Sequence, residues 1–346
     1  MASLTQSAIV ARKAVRYSIY ALILLIVGRM VFGVVSGVVS VLFPKKPPPP
    51  TVLFGPLPAI PFPENRADPS KLKFTLETAE RSLPKLPTQS AVYYMPKDVA
   101  TLSSVDEGLQ KAKGLGFSGQ GEKVTETLYR FRHPSLPKTL EINIVSKIFS
   151  LSYDLALDPT PIDAIPPTPE IAASYVRSYL AGADLLPEDL TGPTTHRYLK
   201  VEQGKLVPAI SQSEAQIIEI NLFRSNFDEL PSIGEDVGEA NVWFLVSGSR
   251  LAERRILSGE FRYFPVDAER ISTYPIKTSE QAWEDLANGK VYIAKSPPEG
   301  EVVIRRVYLA NYDPSNSAEF FQPIIVFEGD NFAAYVPAVT DEYYGQ

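Results

Sequence analysis

The chain has 346 residues, 45 % of them hydrophobic and 21 % charged, enough apolar side chain to bury more core than one average domain needs. It carries 34 Lys and Arg, 40 Asp and Glu, two histidines and no cysteine. The missing thiols exclude disulfides, thiolate nucleophiles, cysteine-ligated zinc and lipid-modified cysteine, and two histidines provide poorly for metallohydrolase or Ser-His-Asp chemistry.

Charge is distributed unevenly. Residues 1–50 hold six basic residues and no acidic one, so everything beyond them sets 28 Lys and Arg against 40 Asp and Glu, a net charge of −12. A part this acidic does not attract phosphate backbones, which bind through neutralisation by Lys and Arg, and nucleic acid is therefore not expected as a partner.

From Tyr17 to Phe43 the chain runs 27 residues with Arg29 as its only charge. About 20 apolar residues span a hydrocarbon core of about 30 Å, so the segment is expected to form a transmembrane helix. It exceeds the ~7–15-residue apolar region of a cleavable signal and reads as an uncleaved signal anchor. Arg12, Lys13 and Arg16 precede it and Lys45 and Lys46 follow it. That bias favours residues 1–16 as a cytoplasmic tail, with the bulk of the chain expected outside the cytosol and the membrane crossed once.

Arg29 falls near the middle of the span, where a charged side chain costs ~2.5–3.5 kcal/mol on insertion scales, so it is expected to face a partner rather than lipid. Arg29, Gly33, Ser36, Gly37 and Ser40 follow the i, i+4, i+7, i+8, i+11 spacing of one helix face. Gly33 and Gly37 form a GxxxG pair that lets another backbone approach closely. The stripe is expected to be an association face, for a second copy of the chain or for a different membrane protein.

Ten prolines between Pro44 and Pro69 rule out helix or inner strand there, and residues 44–69 read as an extended linker holding the folded part off the membrane. Its Val52, Leu53, Phe54, Leu57, Ile60 and Phe62 are too apolar for a solvated linker, so part of it should lie along the globular surface.

Two exported units are expected next. In residues 70–158, KLKFTLETAE and SAVYYM are strands, and Ser103 with Asp106 starts a helix with a stripe of Val105, Leu109 and Ala112. TLYRFRH and FSLSYDL then alternate apolar and polar residues as strands with one wet face. After the joint DPTPIDAIPPTPE, Thr168, Pro169 and Glu170 open a helix that begins a region at 168–346, with a break near residue 270. There HRYLKVEQGKLVPAI turns at Gln203-Gly204, and QIIEINLF, NVWFLVSG and LSGEFRYF are strands. A capping box at Thr278–Gln281 starts a helix carrying Trp283, Leu286 and Ala287 on one face and stopping at Asn288-Gly289, before four closing strands. The pattern predicts an α+β fold of repeated helix-plus-antiparallel-meander units, with helices on one face of the sheets.

SEQAWEDLANGKVYIA, then EVVIRRVYLANYD and FFQPIIVFEGDNFAAYVPAV, with EINLFRSNFDELPSIGED upstream, resemble PepSY-like domains and the related YycH/YycI-type regulators of Gram-positive cell envelopes. The resemblance covers roughly residues 100–155 and 215–340, and it departs in the anchor arginine and the ten-proline linker. It implies a short cytoplasmic tail, one membrane helix and an exported α+β part that restrains a sensor kinase.

Candidate catalytic groups are weak in sequence. Asp228-Glu229, Glu235-Asp236 with Glu239, and Glu284-Asp285 sit in expected turns or exposed helix faces, and VSGSR at 246–250 lacks the G-x-S-x-G order of a nucleophile elbow. DPSNSAE at 313–319 lacks the spacing of a calcium loop, and His133 and His196 read as structural or surface residues. No cofactor or metal is implied. The expected function is non-catalytic binding of another envelope protein, regulatory or scaffolding in consequence. The alternatives are an envelope hydrolase using a carboxylate pair, and a peptidase-inhibitor or chaperone-like module.

Overall fold

The computed structural model describes residues 12, 13, 16–18, 20–33 and 48–345. Two compact units are present, residues 1–49 and 50–346. In the first, helix α1 (Arg16–Gly33) is long and apolar enough to cross a membrane, a test that an N-terminal signal sequence also passes. The expected span beyond Gly33, with Ser36, Gly37 and Ser40, lies outside the described residues, as do most of the expected tail and residues 44–47.

The second unit mixes α and β structure, with strands predominating. Its largest sheet is antiparallel throughout. In spatial order it runs β3 (Glu122–Lys123), β4 (Leu128–Arg132), β5 (Lys138–Asn143), β6 (Phe149–Tyr153), β12 (Ile256–Phe261), β11 (Val242–Ser247), β9 (Ile217–Leu222), β7 (Thr194–Glu202) and β8 (Lys205–Pro208). The β7–β8 hairpin turns where expected, with Gln203 and Gly204 both at positive φ, the backbone that a two-residue hairpin turn needs. Helices α2 (Ser104–Gly114) and α3 (Pro169–Gly182) bury Ala112, Ala173, Val176 and Leu180 against one face, with Phe131, Leu140, Ile220 and Phe244.

Of the expected stripe on helix α2, Ala112 is buried and Leu109 packs against the core, but the buried face is rotated away from Val105. Val105 is exposed, and Ser104, Gly108 and Ala112 are inside. The helix rides so close to the β5–β6 turn that a Cβ at Gly108 would meet Ile144 at 2.5 Å, so closeness of approach rather than side-chain size selects the face. Ser103 makes no capping hydrogen bond; its hydroxyl donates to Glu107 instead.

The second sheet runs β1 (Leu72–Leu76), β15 (Gly300–Tyr312), β17 (Pro323–Gly329), β18 (Phe332–Pro337) and β14 (Tyr292–Lys295), with β10 (Ser232–Ile233) also paired to β15. Here the expectation of purely antiparallel pairing is corrected: β1 and β10 run parallel to β15. Both reach it after long excursions, which frees them from the hairpin geometry that imposes antiparallel pairing. Helix α4 (Ser279–Ala287), with the full Thr278–Gln281 capping box, buries Ala282 and Leu286 on one face of this sheet, while Ala287 is exposed.

The third sheet joins β13 (Asp267–Pro275), β2 (Gln89–Tyr94) and β16 (Phe320–Phe321). Adjacent strand residues face opposite ways, so only one of Phe320 and Phe321 is expected inside, yet both are buried. Each face of this sheet carries its own apolar cluster, Phe320 with Val92 and Tyr274, and Phe321 with Tyr93 and Met95. The segments 70–158 and 168–346 therefore share sheets: β1 and β2 pair with strands beyond residue 266, while β6 pairs with β12.

The proline-rich stretch is a strap from Thr51 onward. Leu57 and Ile60 are buried, and Phe62 lies against Tyr292, Tyr312 and Tyr335 at 5.2, 4.8 and 6.4 Å between ring centres. Among the described residues the Tyr312 and Tyr335 hydroxyls have no hydrogen-bond partner, and the Phe62 side chain carries no polar atom, so the box holds it by packing alone. Phe62→Ala is expected to cost about 2 kcal/mol, below the ~3–5 kcal/mol of a fully buried Phe, because the ring is half-buried. An unchanged urea midpoint would mean that the strap is not seated in solution.

Candidate functional site: a polar groove on the nine-stranded sheet

Helices cover one face of the nine-stranded sheet, and the register shows what occupies the other. Glu122 is opposite Arg130, Arg130 opposite Glu141, and Glu141 opposite Ser150. The row continues through Glu260, Trp243, Asn221 and Thr195. Directly paired residues point to the same face, so one polar row crosses eight consecutive strands with Trp243 within it.

Two adjoining cavities of about 330 and 350 Å³ lie over this row and meet at Glu260, Arg262 and Ser315. The segment containing Glu235, Asp236 and Glu239 lines the first cavity, and Ser315 and Asn316, from the loop after β15, line the second. Leu245, Ile217 and Leu257 on the same face are covered by Leu155 and Ile162, leaving Trp243 half-buried at the boundary.

Most charges here are tied to one another. Arg197 grips Glu219 through two hydrogen bonds, Nε to Oε1 at 3.1 Å and Nη2 to Oε2 at 2.9 Å, and also meets Glu239 at 3.2 Å. Arg262 pairs with Glu260 at 2.9 Å, Arg130 with Glu141 at 2.7 Å, and Arg66 with Asp236 at 2.6 Å. The amide of buried Asn221 donates to Glu219 and accepts from the Ala240 backbone N–H. Glu235 accepts from the Ser315 hydroxyl and has no cationic partner among the described residues.

Beside the groove, Arg224 is 1 % exposed yet contacts both sheets' loops. It donates to Asp313 at 2.9 Å, to Asp189 at 2.6 Å and to the Phe264 carbonyl at 2.5 Å, with its guanidinium 4.2 Å from the Tyr263 ring centre. Burial alone would push Arg224 to lose its proton, but the charges of Asp313 and Asp189 outweigh it and hold the pKa above the ordinary arginine value. Asp313 is also fixed through its backbone carbonyl by Asn241. The cluster thereby pins the loop that carries Ser315.

The sequence-predicted groups are placed as follows. Arg29 and Gly33 lie one turn apart on α1, both exposed. Asp228 and Glu229 occupy a turn at positive φ, and Asp285 pairs with Lys277 at 2.7 Å. Ser247 of VSGSR is fully buried and donates to the Arg254 carbonyl, so it offers no nucleophile. The Nδ1 of His133 accepts from the Ser135 and Leu136 backbone N–H groups, a turn-building role. Among the described residues no group of three or more His, Asp and Glu side chains is arranged to hold a metal ion.

The groove itself was not among the sequence expectations, which placed Glu235, Asp236 and Glu239 on open surface. A signal existed in QIIEINLF: Glu219 and Asn221 interrupt an otherwise apolar strand with period two, marking its second face as polar.

No protein-family model matches the sequence, and no curated protein matches it. Among solved structures, an uncharacterized protein from Eubacterium rectale ATCC 33656, determined at 1.45 Å resolution, is similar over 80 % of this chain and 90 % of its own. Sequence identity is 11 % and the TM-score 0.32, a likeness too slight to carry an argument about this chain's role.

Proposed function

We propose that this is a single-pass membrane protein whose exported domain binds another protein of the cell envelope without chemistry of its own. The observation that carries the reading is the state of the groove. Glu219 and Glu239 share Arg197, and Glu260 and Glu141 each pair with an arginine of their own, which suits a recognition surface and opposes a glycosidase-like acid that must keep its proton.

Helix α1 would hold the domain at a bacterial cell membrane with the N-terminus cytoplasmic, and its Arg29, Gly33, Ser36, Gly37 and Ser40 stripe would meet a partner helix. The resemblance to PepSY-like and YycH/YycI-type proteins fits a regulatory or scaffolding role, with a sensor kinase as the kind of partner it suggests.

The test is crosslinking of the full-length protein in intact cells, followed by the same experiment on Arg29→Leu and Gly33→Ile. A discrete crosslinked partner is expected, reduced several-fold in both variants. Absence of any crosslinked species sinks the binding role, and unchanged crosslinking in both variants removes the helix face. External protease should digest a tag placed after Gln346; a protected tag overturns the topology.

A further inference from the structure

We propose that the groove is the docking site for a basic, extended segment of the partner protein, with a lysine or arginine side chain laid on Trp243. This rests on the protein-binding reading and adds the partner's chemistry.

Charge selects the occupant. Six carboxylates line the two cavities, Glu141, Glu219, Glu235, Asp236, Glu239 and Glu260, against the guanidinium groups of Arg197 and Arg262. Arg130 and Arg66 neutralise Glu141 and Asp236 from the rim. Two negative charges stay uncompensated: that of Glu235, and one of the two carboxylates that share Arg197. Both surplus charges line the same cavity as Trp243, whose indole face attracts cations. The chain beyond residue 50 carries net −12, which adds long-range steering of a basic partner.

Shape selects an extended chain. From β5 at Glu141 to β7 at Arg197 the groove crosses five strand spacings of about 4.8 Å, some 24 Å, the length of about seven extended residues at ~3.4 Å each. The Asp313–Ser315 loop is clamped by Arg224 and Asn241, so one wall is preformed. A rigid site loses less freedom on binding than one that must order itself.

The probe is a heptapeptide alternating lysine and threonine, with the glutamate-threonine analogue as control, titrated into the full-length protein in detergent. Trp283→Phe leaves Trp243 as the only tryptophan, so its emission reports the site. The lysine peptide is expected to bind, to shift that emission, and, by titration calorimetry that needs no tryptophan, to lose affinity at least tenfold on Glu235→Gln with Glu239→Gln and on Trp243→Leu. The charge variant alters no apolar packing and keeps the test decisive where Trp243→Leu misfolds.

Equal binding of the glutamate peptide overturns the proposal, as does full competition by spermidine, which would make this a small-cation site. A lysine peptide that fails to bind while cells still yield a crosslinked partner refutes the basic-segment inference and leaves the binding role standing. Loss of both refutes both.

Discussion

Arg224→Ala is expected to destabilise the folded domain by about 3–5 kcal/mol, the usual cost of breaking a buried ion pair from one side. The loss is not the worth of two hydrogen bonds. Asp313 and Asp189, 14 % and 20 % exposed at their side chains, would remain in a low-dielectric setting without their counter-charge. The Tyr263 hydroxyl, which donates to Asp189 at 2.7 Å, cannot replace a cation. Urea unfolding of residues 50–346, a compact unit with its own cores, reads the change as a lowered midpoint. Arg224→Met with Asp189→Asn and Asp313→Asn should recover most of the loss, because no charge is then left stranded. A single-variant cost below about 1 kcal/mol would show that the cluster is solvated and weak.

The same substitution separates fold from site. Arg224 touches neither cavity, yet it fixes Asp313 two residues before Ser315, which belongs to both. Peptide binding should therefore fall in Arg224→Met even at temperatures where the domain stays folded. The floor of the groove is the nine-stranded sheet, and the loop that carries Ser315 over it is held by one buried cation.

Much of the local structure was legible in the chain because local chemistry decides it. The Thr278–Gln281 capping box, the Gln203-Gly204 turn and the alternation in FSLSYDL depend on neighbours within a few residues. What escaped was set at long range. Whether β1 pairs with β15 depends on contacts more than 200 residues apart, and no period in KLKFTL encodes a parallel partner. Gly108 lies where α2 comes so close to Ile144 that a Cβ would clash, a contact that nothing in its sequence neighbourhood encodes. The groove escaped for a related reason: Glu260, Trp243 and Asn221 become neighbours only through antiparallel register. Arg224 carried no sequence signal at all, since nothing in NLFRSNF distinguishes a buried arginine from a surface one.

Stability should rise, not fall, as pH is raised from 7.5 to 8.5, and Lys138 is the cause. Its side chain is 5 % exposed at the start of β5, with Nζ 3.5 Å from the Glu253 carbonyl oxygen and 5.5 Å from the Tyr179 ring centre. No carboxylate pairs with it among the described residues; Glu253 acts only at longer range, and His133 is the other titratable neighbour. Burial drives the ammonium's pKa down to about 8 from 10.5, with the Glu253 charge opposing. Between these values the unfolded chain binds more protons than the folded one, so unfolding becomes harder as pH increases. The two pKa values give a penalty of about 3 kcal/mol at pH 7, which begins to be relieved as the pH passes 8. The upper limit matters because buried tyrosines such as Tyr179, raised by burial, oppose the trend once unfolded tyrosines ionise near pH 10. Lys138→Met should flatten the profile and stabilise the domain at pH 7 by about 1–3 kcal/mol, the apolar chain filling the same space without a charge to desolvate. A wild-type profile that is level or descending across the window, or a methionine variant that is no more stable at pH 7, would place the lysine's ammonium in water.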